Sequence, residues 1–135
     1  MEHTQICCFT GEAELPLDNV AEIGEKLEAI ILELIEKGVT LFKIMDESGF
    51  GAMAAEIVTT LKSEHRQIQL EKIPVFQVTS NNSDDYEKLI FAPCHALIDN
   101  SDYCVVYIKR HKGFPFYNVM YAISSNAKII YLNLH

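Results

Sequence analysis

The sequence predicts an α/β fold, a three-layer, Rossmann-like, doubly wound sheet of about five mainly parallel strands. Two observations predict it. Short apolar runs of strand length alternate with longer segments whose apolar residues recur every three or four positions. Strands that alternate with helices favour parallel pairing, because each parallel return needs a crossover. The length of 135 residues suits one domain over residues 1–135.

The first helix has the clearest periodicity, and it follows a strand over residues 5–10. Asn19, with Glu22 three residues later, has the pattern of a capping box, and Gly38 ends the helix. Its predicted buried face consists of Val20, Ile23, Leu27, Ile30, Ile31 and Leu34.

The remaining elements follow the same alternation. A second helix carries an apolar stripe that begins at Phe50, and the run over residues 103–108 is apolar throughout, as in a fully buried strand. Further strands are predicted over residues 39–45, 67–73 and 128–134, and further helices over residues 86–91 and 116–125.

The composition excludes several kinds of partner. The chain has 11 basic and 19 acidic side chains, a formal charge of -8. This balance argues against nonspecific binding to nucleic acid or anionic lipid, since both need a positive surface. No apolar run approaches the ~18 residues of a membrane span, and the first residues do not resemble a signal peptide. We therefore expect a cytoplasmic protein with no nucleic-acid or membrane partner.

A ligand site is expected at one edge of the sheet. Doubly wound sheets bind ligands beyond the carboxyl ends of their strands, where the strand order reverses. This rule selects the loops over residues 10–14, 46–51 and 109–115. The candidate ligand-binding residues are Thr10, Gly11, Glu12, Glu47, Ser48, Gly49, Gly51, Lys109, Arg110, His111 and Gly113.

Gly11 and the candidates of the turn over residues 48–51 have an alternative interpretation. Gly11 lets a ligand approach the backbone, but a glycine at a strand end is equally typical of a turn. The turn over residues 48–51 offers two glycines before a helix, although their spacing is neither a P-loop nor a dinucleotide-binding fingerprint. A plain N-capped turn explains that pattern equally well.

The charges in the three loops are of opposite sign. Two loops contain the acids Glu12, Glu14, Asp46 and Glu47. A phosphate among them would be repelled, because two unit charges 4 Å apart interact by roughly 4 kcal/mol at an effective dielectric near 20. The third loop contains Lys109, Arg110, His111 and Lys112. These side chains either bind an anionic ligand, with Arg110 gripping phosphate in a bidentate way, or neutralise the facing acids.

The sequence predicts no metal or cofactor site. The four cysteines form no Cys-x-x-Cys pair. Cys94-His95 is a close pair of possible zinc ligands, but the sequence offers no second pair to complete a four-ligand site. We expect the cysteines to be buried, reduced thiols. A catalytic mechanism could be drawn only from paired carboxylates such as Glu12 and Glu47.

Several motifs resemble one known family. The run Cys7-Cys8-Phe9-Thr10-Gly11 is similar to the C-C-F-T-G-H-R opening of a YpsA/YoqJ-like branch of the SLOG superfamily. Gly49-Phe50 and Ala54-Ala55-Glu56 match the G-F-D-x-x-A-A-E that starts that family's second helix, and further short matches cover most of the chain. The resemblance implies a Rossmann-like sheet, a nucleotide-derived ligand and a possible homodimer.

The departures fall on the residues that perform the family's chemistry. Glu12-Ala13 replaces H-R, Gly113-Phe114-Pro115 replaces a G-G-T turn, and no glutamate follows in the next helix. The resemblance therefore implies a divergent domain that binds a nucleoside- or nucleotide-derived molecule without turnover. Two alternatives stay open: an enzyme that cleaves an N-glycosidic bond, as phosphoribohydrolase relatives do, and a structural or protein-interaction module without a ligand.

Overall fold

A five-stranded sheet, parallel at every pairing, organises the chain. The computed structural model describes residues 5–12, 14–45, 49–73, 93–109 and 113–132. The strands are β1 (Gln5–Gly11), β2 (Val39–Ile44), β3 (Gln69–Lys72), β4 (Tyr103–Tyr107) and β5 (Lys128–Tyr131), and their order in the sheet is β3-β2-β1-β4-β5. The predicted α/β, Rossmann-like class is confirmed.

Helices cover both faces of this sheet. They are α1 (Val20–Glu36), α2 (Gly49–Lys62), α3 (residues 93–98) and α4 (Gly113–Ser124). Successive strand residues point to opposite faces, so Cys7 and Phe9 join the core formed with α1 and α2. Cys8 joins the second core, which α3 and α4 form on the other face. The result is the predicted three-layer arrangement.

Helix α1 buries the face that its periodicity predicts. Ile23, Leu27, Ile31 and Leu34 are buried, while Val20 and Ile30 are only partly so. On the solvent side, Glu22 pairs with Lys26 and Glu33 with Lys37, each at 3.4 Å. Gly38 ends the segment with φ +104°, a conformation that favours glycine.

The predicted capping box is wrong. Asn19 precedes α1, but its side chain makes no capping hydrogen bond. A 3₁₀ turn over Leu17–Asn19 leads into the helix, and the Asn19 amide donates to the Pro16 carbonyl at 3.1 Å. This gives Asn19 φ −119° and ψ 7°. A capping side chain requires an extended backbone instead.

Other predicted boundaries shift by a few residues. Strand β3 begins at Gln69, and α4 begins at Gly113. A proline is tolerated in the first turn of a helix, because its missing amide has no partner there, so Pro115 does not delay the start of α4. The helix predicted over residues 86–91 lies outside the described residues. Within the described ranges, no helix has the length and apolar character needed to cross a membrane.

Candidate functional site

The strand order reverses at β1, because β2 lies on one side of it and β4 on the other. Gly11, the last residue of β1, is paired with Tyr107, the last residue of β4. The Glu12 amide continues this pairing and donates to the Tyr107 carbonyl at 3.0 Å. Two of the three predicted loops therefore meet at the carboxyl edge between β1 and β4, which we call the switch-point edge.

Helix α2 starts over the same edge. The Phe50 amide donates to the Glu12 carbonyl at 3.0 Å, so the first turn of α2 is fixed to the end of β1. Gly49 begins this helix with φ 56°, and Gly51 lies in its first turn. The described part of the third predicted loop thus joins the other two.

Glu12 is not a solvent-exposed acid at this edge. Its side chain is 9% exposed, and Oε1 accepts a hydrogen bond from the Lys109 amide at 2.8 Å. The carboxylate therefore links the residue after β1 to the segment after β4. Lys109 itself is exposed.

Gly11 is needed for close packing at the edge. A Cβ at this position would lie 2.6 Å from Phe50 Cδ2 and 2.8 Å from Phe50 Cβ, closer than real Cβ contacts come. The ring of Phe50 occupies that space and also packs against Tyr107, with ring centroids 5.9 Å apart. Close packing of α2 against the end of β1 is therefore a third explanation for Gly11, beside ligand approach and turn geometry.

On the opposite face, α4 contributes a polar residue that the sequence reasoning missed. Asn118 is 1% exposed, and its Nδ2 donates to Thr10 Oγ1 at 3.0 Å. Its Oδ1 is buried without a hydrogen-bond partner. The available signal was an asparagine within the otherwise apolar run of residues 114–123.

A second buried polar atom lies on the α2 side of the edge. Tyr107 is 3% exposed, and its hydroxyl also has no hydrogen-bond partner. Leaving a buried polar group unpaired costs roughly 1–3 kcal/mol. The switch-point edge thus carries two buried polar groups, one on each face of the sheet, that have no hydrogen-bond partner among the described residues.

The remaining predicted site residues fall into two sets. Gly113 is the first residue of α4. The others lie outside the described residues: Glu47, Ser48, Arg110 and His111.

Away from the edge, polar side chains join helices α3 and α4 to the sheet and to each other. The buried Lys43 of β2 donates from Nζ to the carbonyls of Ala96 and Asp99, each at 3.2 Å. His95 Nε2 lies 2.7 Å from Tyr117 Oη, and the His95 ring stacks on Tyr121 with centroids 4.3 Å apart. His95 thus packs α3 against α4.

The described residues offer no other obvious chemistry. They contain no group of three or more histidine, cysteine or acidic side chains that could hold a metal ion. All four cysteines are free and buried. Comparison with protein-family models and with curated proteins finds no match to the chain.

Proposed function

We propose that this protein binds a nucleoside- or nucleotide-derived small molecule at the switch-point edge and holds it without chemical conversion. One observation carries the proposal: two buried polar atoms, Asn118 Oδ1 and Tyr107 Oη, have no partner there. A ligand that supplied those hydrogen bonds would remove the free-energy cost of leaving two buried polar groups unpaired.

The topology supports the same location. At a switch point, the helices on the two faces diverge from the reversal and leave a crevice beyond the strand ends. Helices α2 and α4 both begin near this crevice, on opposite faces of the sheet. A ligand between them would contact the ends of β1 and β4.

The role of Glu12 supports binding over catalysis. An acid that cleaves an N-glycosidic bond must reach the substrate with its carboxylate. Glu12 Oε1 instead accepts a hydrogen bond from the Lys109 amide, and the side chain is largely buried. This engagement makes Glu12 a structural link between two strand ends.

Membership of the SLOG superfamily, a cytoplasmic location and homodimerisation belong to the same proposal. The motif that suggests the family ends in Thr10 and Gly11, and both stand at the strand reversal. Four free thiols suit a reducing compartment. Light scattering of the purified chain tests the homodimer.

A thermal-shift screen against nucleosides and nucleotides tests the binding function. A ligand at 100 times its dissociation constant stabilises the native state by ~2.7 kcal/mol. We expect a shift for the wild type and for Ser124→Ala, an exposed control position on α4. Asn118→Leu keeps the branching at Cγ, removes both polar atoms of the amide and is expected to lose the shift.

Three outcomes would count against the proposal. If no member of the panel shifts the wild-type melting temperature, the result favours the alternative of a structural or protein-interaction module without a ligand. If Asn118→Leu shifts as the wild type does, the site lies elsewhere. Release of a free base from nucleoside monophosphates, followed by chromatography, would favour the enzyme.

A further inference from the structure

We infer that the switch-point edge selects a neutral ligand rich in hydrogen-bond donors, such as a nucleoside, over the phosphorylated form of the same ligand. This inference rests on the proposed binding function and adds the chemical class of the ligand. Four features of the edge lead to it.

The first feature is the use of the backbone amides. Phosphate at the end of a parallel strand is usually held by free N–H groups of the turn and of the following helix. Here the Glu12 amide donates to the Tyr107 carbonyl, and the Phe50 amide donates to the Glu12 carbonyl. The Lys109 amide donates to Glu12 Oε1. Three amides at this edge are therefore engaged within the protein.

The second feature is the space beside Gly11. A glycine in this turn would let a phosphate approach the backbone closely. The Phe50 side chain fills the space that a Cβ at Gly11 would occupy, because its Cδ2, Cγ and Cβ atoms all lie within 2.8 Å of that Cβ position. An anion cannot reach the Gly11 backbone from that face unless Phe50 moves.

The third feature is the orientation of the Asn118 amide. Its Nδ2 is committed to Thr10 Oγ1, which leaves Oδ1 as the group without a partner. An amide oxygen only accepts hydrogen bonds, so the ligand must present a donor such as a hydroxyl or an amino group. An ionised phosphate oxygen has no proton to offer, so phosphorylation removes one hydroxyl donor of a nucleoside and adds only acceptors.

The fourth feature is charge. Glu12 brings a carboxylate to the edge, in a position that is largely withdrawn from solvent. Like charges repel more strongly where water is excluded. In the sequence, the four acids of the first two loops outnumber Lys109, Arg110 and Lys112 of the third loop. The Lys109 side chain is also exposed, so solvent and salt weaken its attraction for an anion.

Isothermal titration of matched pairs tests the inference: adenosine, guanosine, cytidine and uridine, each beside its 5′-monophosphate. For any base that binds, we expect the nucleoside to bind at least about tenfold more tightly than the monophosphate. Equal or tighter binding of the monophosphate would overturn the inference while the proposed function stood. If neither form of any base binds, both fail.

A pair of variants separates charge from fold. Glu12→Gln retains a side-chain oxygen that can accept from the Lys109 amide but removes the negative charge. We expect this variant to bind the monophosphate several-fold more tightly than the wild type does, so that the preference for the nucleoside narrows. Glu14→Gln makes the same charge change at an exposed position in the same loop and should alter neither affinity. If Glu12→Gln discriminates as strongly as the wild type, its carboxylate does not select the ligand.

Discussion

Gly11 and Phe50 are in direct contact, and a side chain larger than hydrogen at position 11 would overlap the aromatic ring. The distance from a Cβ at Gly11 to Phe50 Cγ would be 2.7 Å. Phe50 is fully buried and also packs against Phe9, with ring centroids 6.4 Å apart. This contact, with the Phe50–Glu12 backbone hydrogen bond, determines where α2 lies over the switch-point edge.

Gly11→Ala is therefore expected to destabilise the protein by about 1–3 kcal/mol, the usual cost of overpacking a well-filled core. Urea unfolding measures the change. A double-mutant cycle with Phe50→Ala identifies the cause, because alanine removes the Cγ and Cδ2 atoms that the new methyl group would meet. The two effects should be less than additive. Full additivity would mean that the Gly11 methyl group meets something other than Phe50.

Gly24→Ala is a matched test with the opposite sign. Gly24 lies inside α1, and a Cβ there would lie 3.9 Å from Met53 Sδ, which is an ordinary van der Waals distance. Alanine in a helix interior is more stable than glycine by roughly 0.5–1 kcal/mol. We expect a higher urea midpoint with an unchanged denaturant slope. A lower midpoint would show that α1 and α2 pack more tightly than these distances indicate.

Lys43→Met tests the link between β2 and α3. The Lys43 ammonium donates to the Ala96 and Asp99 carbonyls, and its side chain is buried. Methionine keeps the length and loses both bonds, so we expect a loss of about 1–3 kcal/mol in the free energy of unfolding. Lys37→Met removes an ion pair with Glu33 at an exposed position directly after α1 and should cost about 0.5 kcal/mol or less. Similar losses in the two variants would contradict a structural role for Lys43.

The sheet could be predicted from the sequence because its signals are local. The run over residues 103–108 is apolar throughout, and this property alone predicts a strand with neighbours on both sides. It forms β4, which pairs with β1 and β5. The loops that follow β1 and β4 could also be placed at one edge of the sheet, because parallel strands end on the same side.

The details of the edge could not be predicted, because they depend on residues far apart in the chain. Gly11 allowed two interpretations until Phe50 was placed against it. An acidic residue in a loop at a strand end is usually solvated. Only the structure shows that Glu12 is buried and accepts a hydrogen bond from the Lys109 amide. Asn118 carried a signal, an amide in an apolar helix, but only its contact with Thr10 shows which of its atoms is left over.

The thiols provide a prediction about pH. Burial raises the pKa of the Cys94 thiol from its ordinary value of 9.0 to about 11. At about pH 8, the native and the unfolded chain both carry this proton, so Cys94 adds no pH dependence there. Between 9.0 and about 11 the unfolded chain loses the proton while the native chain keeps it. Stability from Cys94 therefore falls as pH rises through this window.

Urea unfolding of the wild type and Cys94→Ala, measured from about pH 8 to about pH 10.5, tests this sign. We expect the free energy of unfolding to decline with pH in both proteins, since burial raises the pKa of Cys7 as well. The decline should be shallower in Cys94→Ala, because this variant lacks one of the thiols whose pKa is raised by burial. Parallel curves would show that the Cys94 thiol ionises alike in the native and unfolded chains, and that burial does not protect its proton.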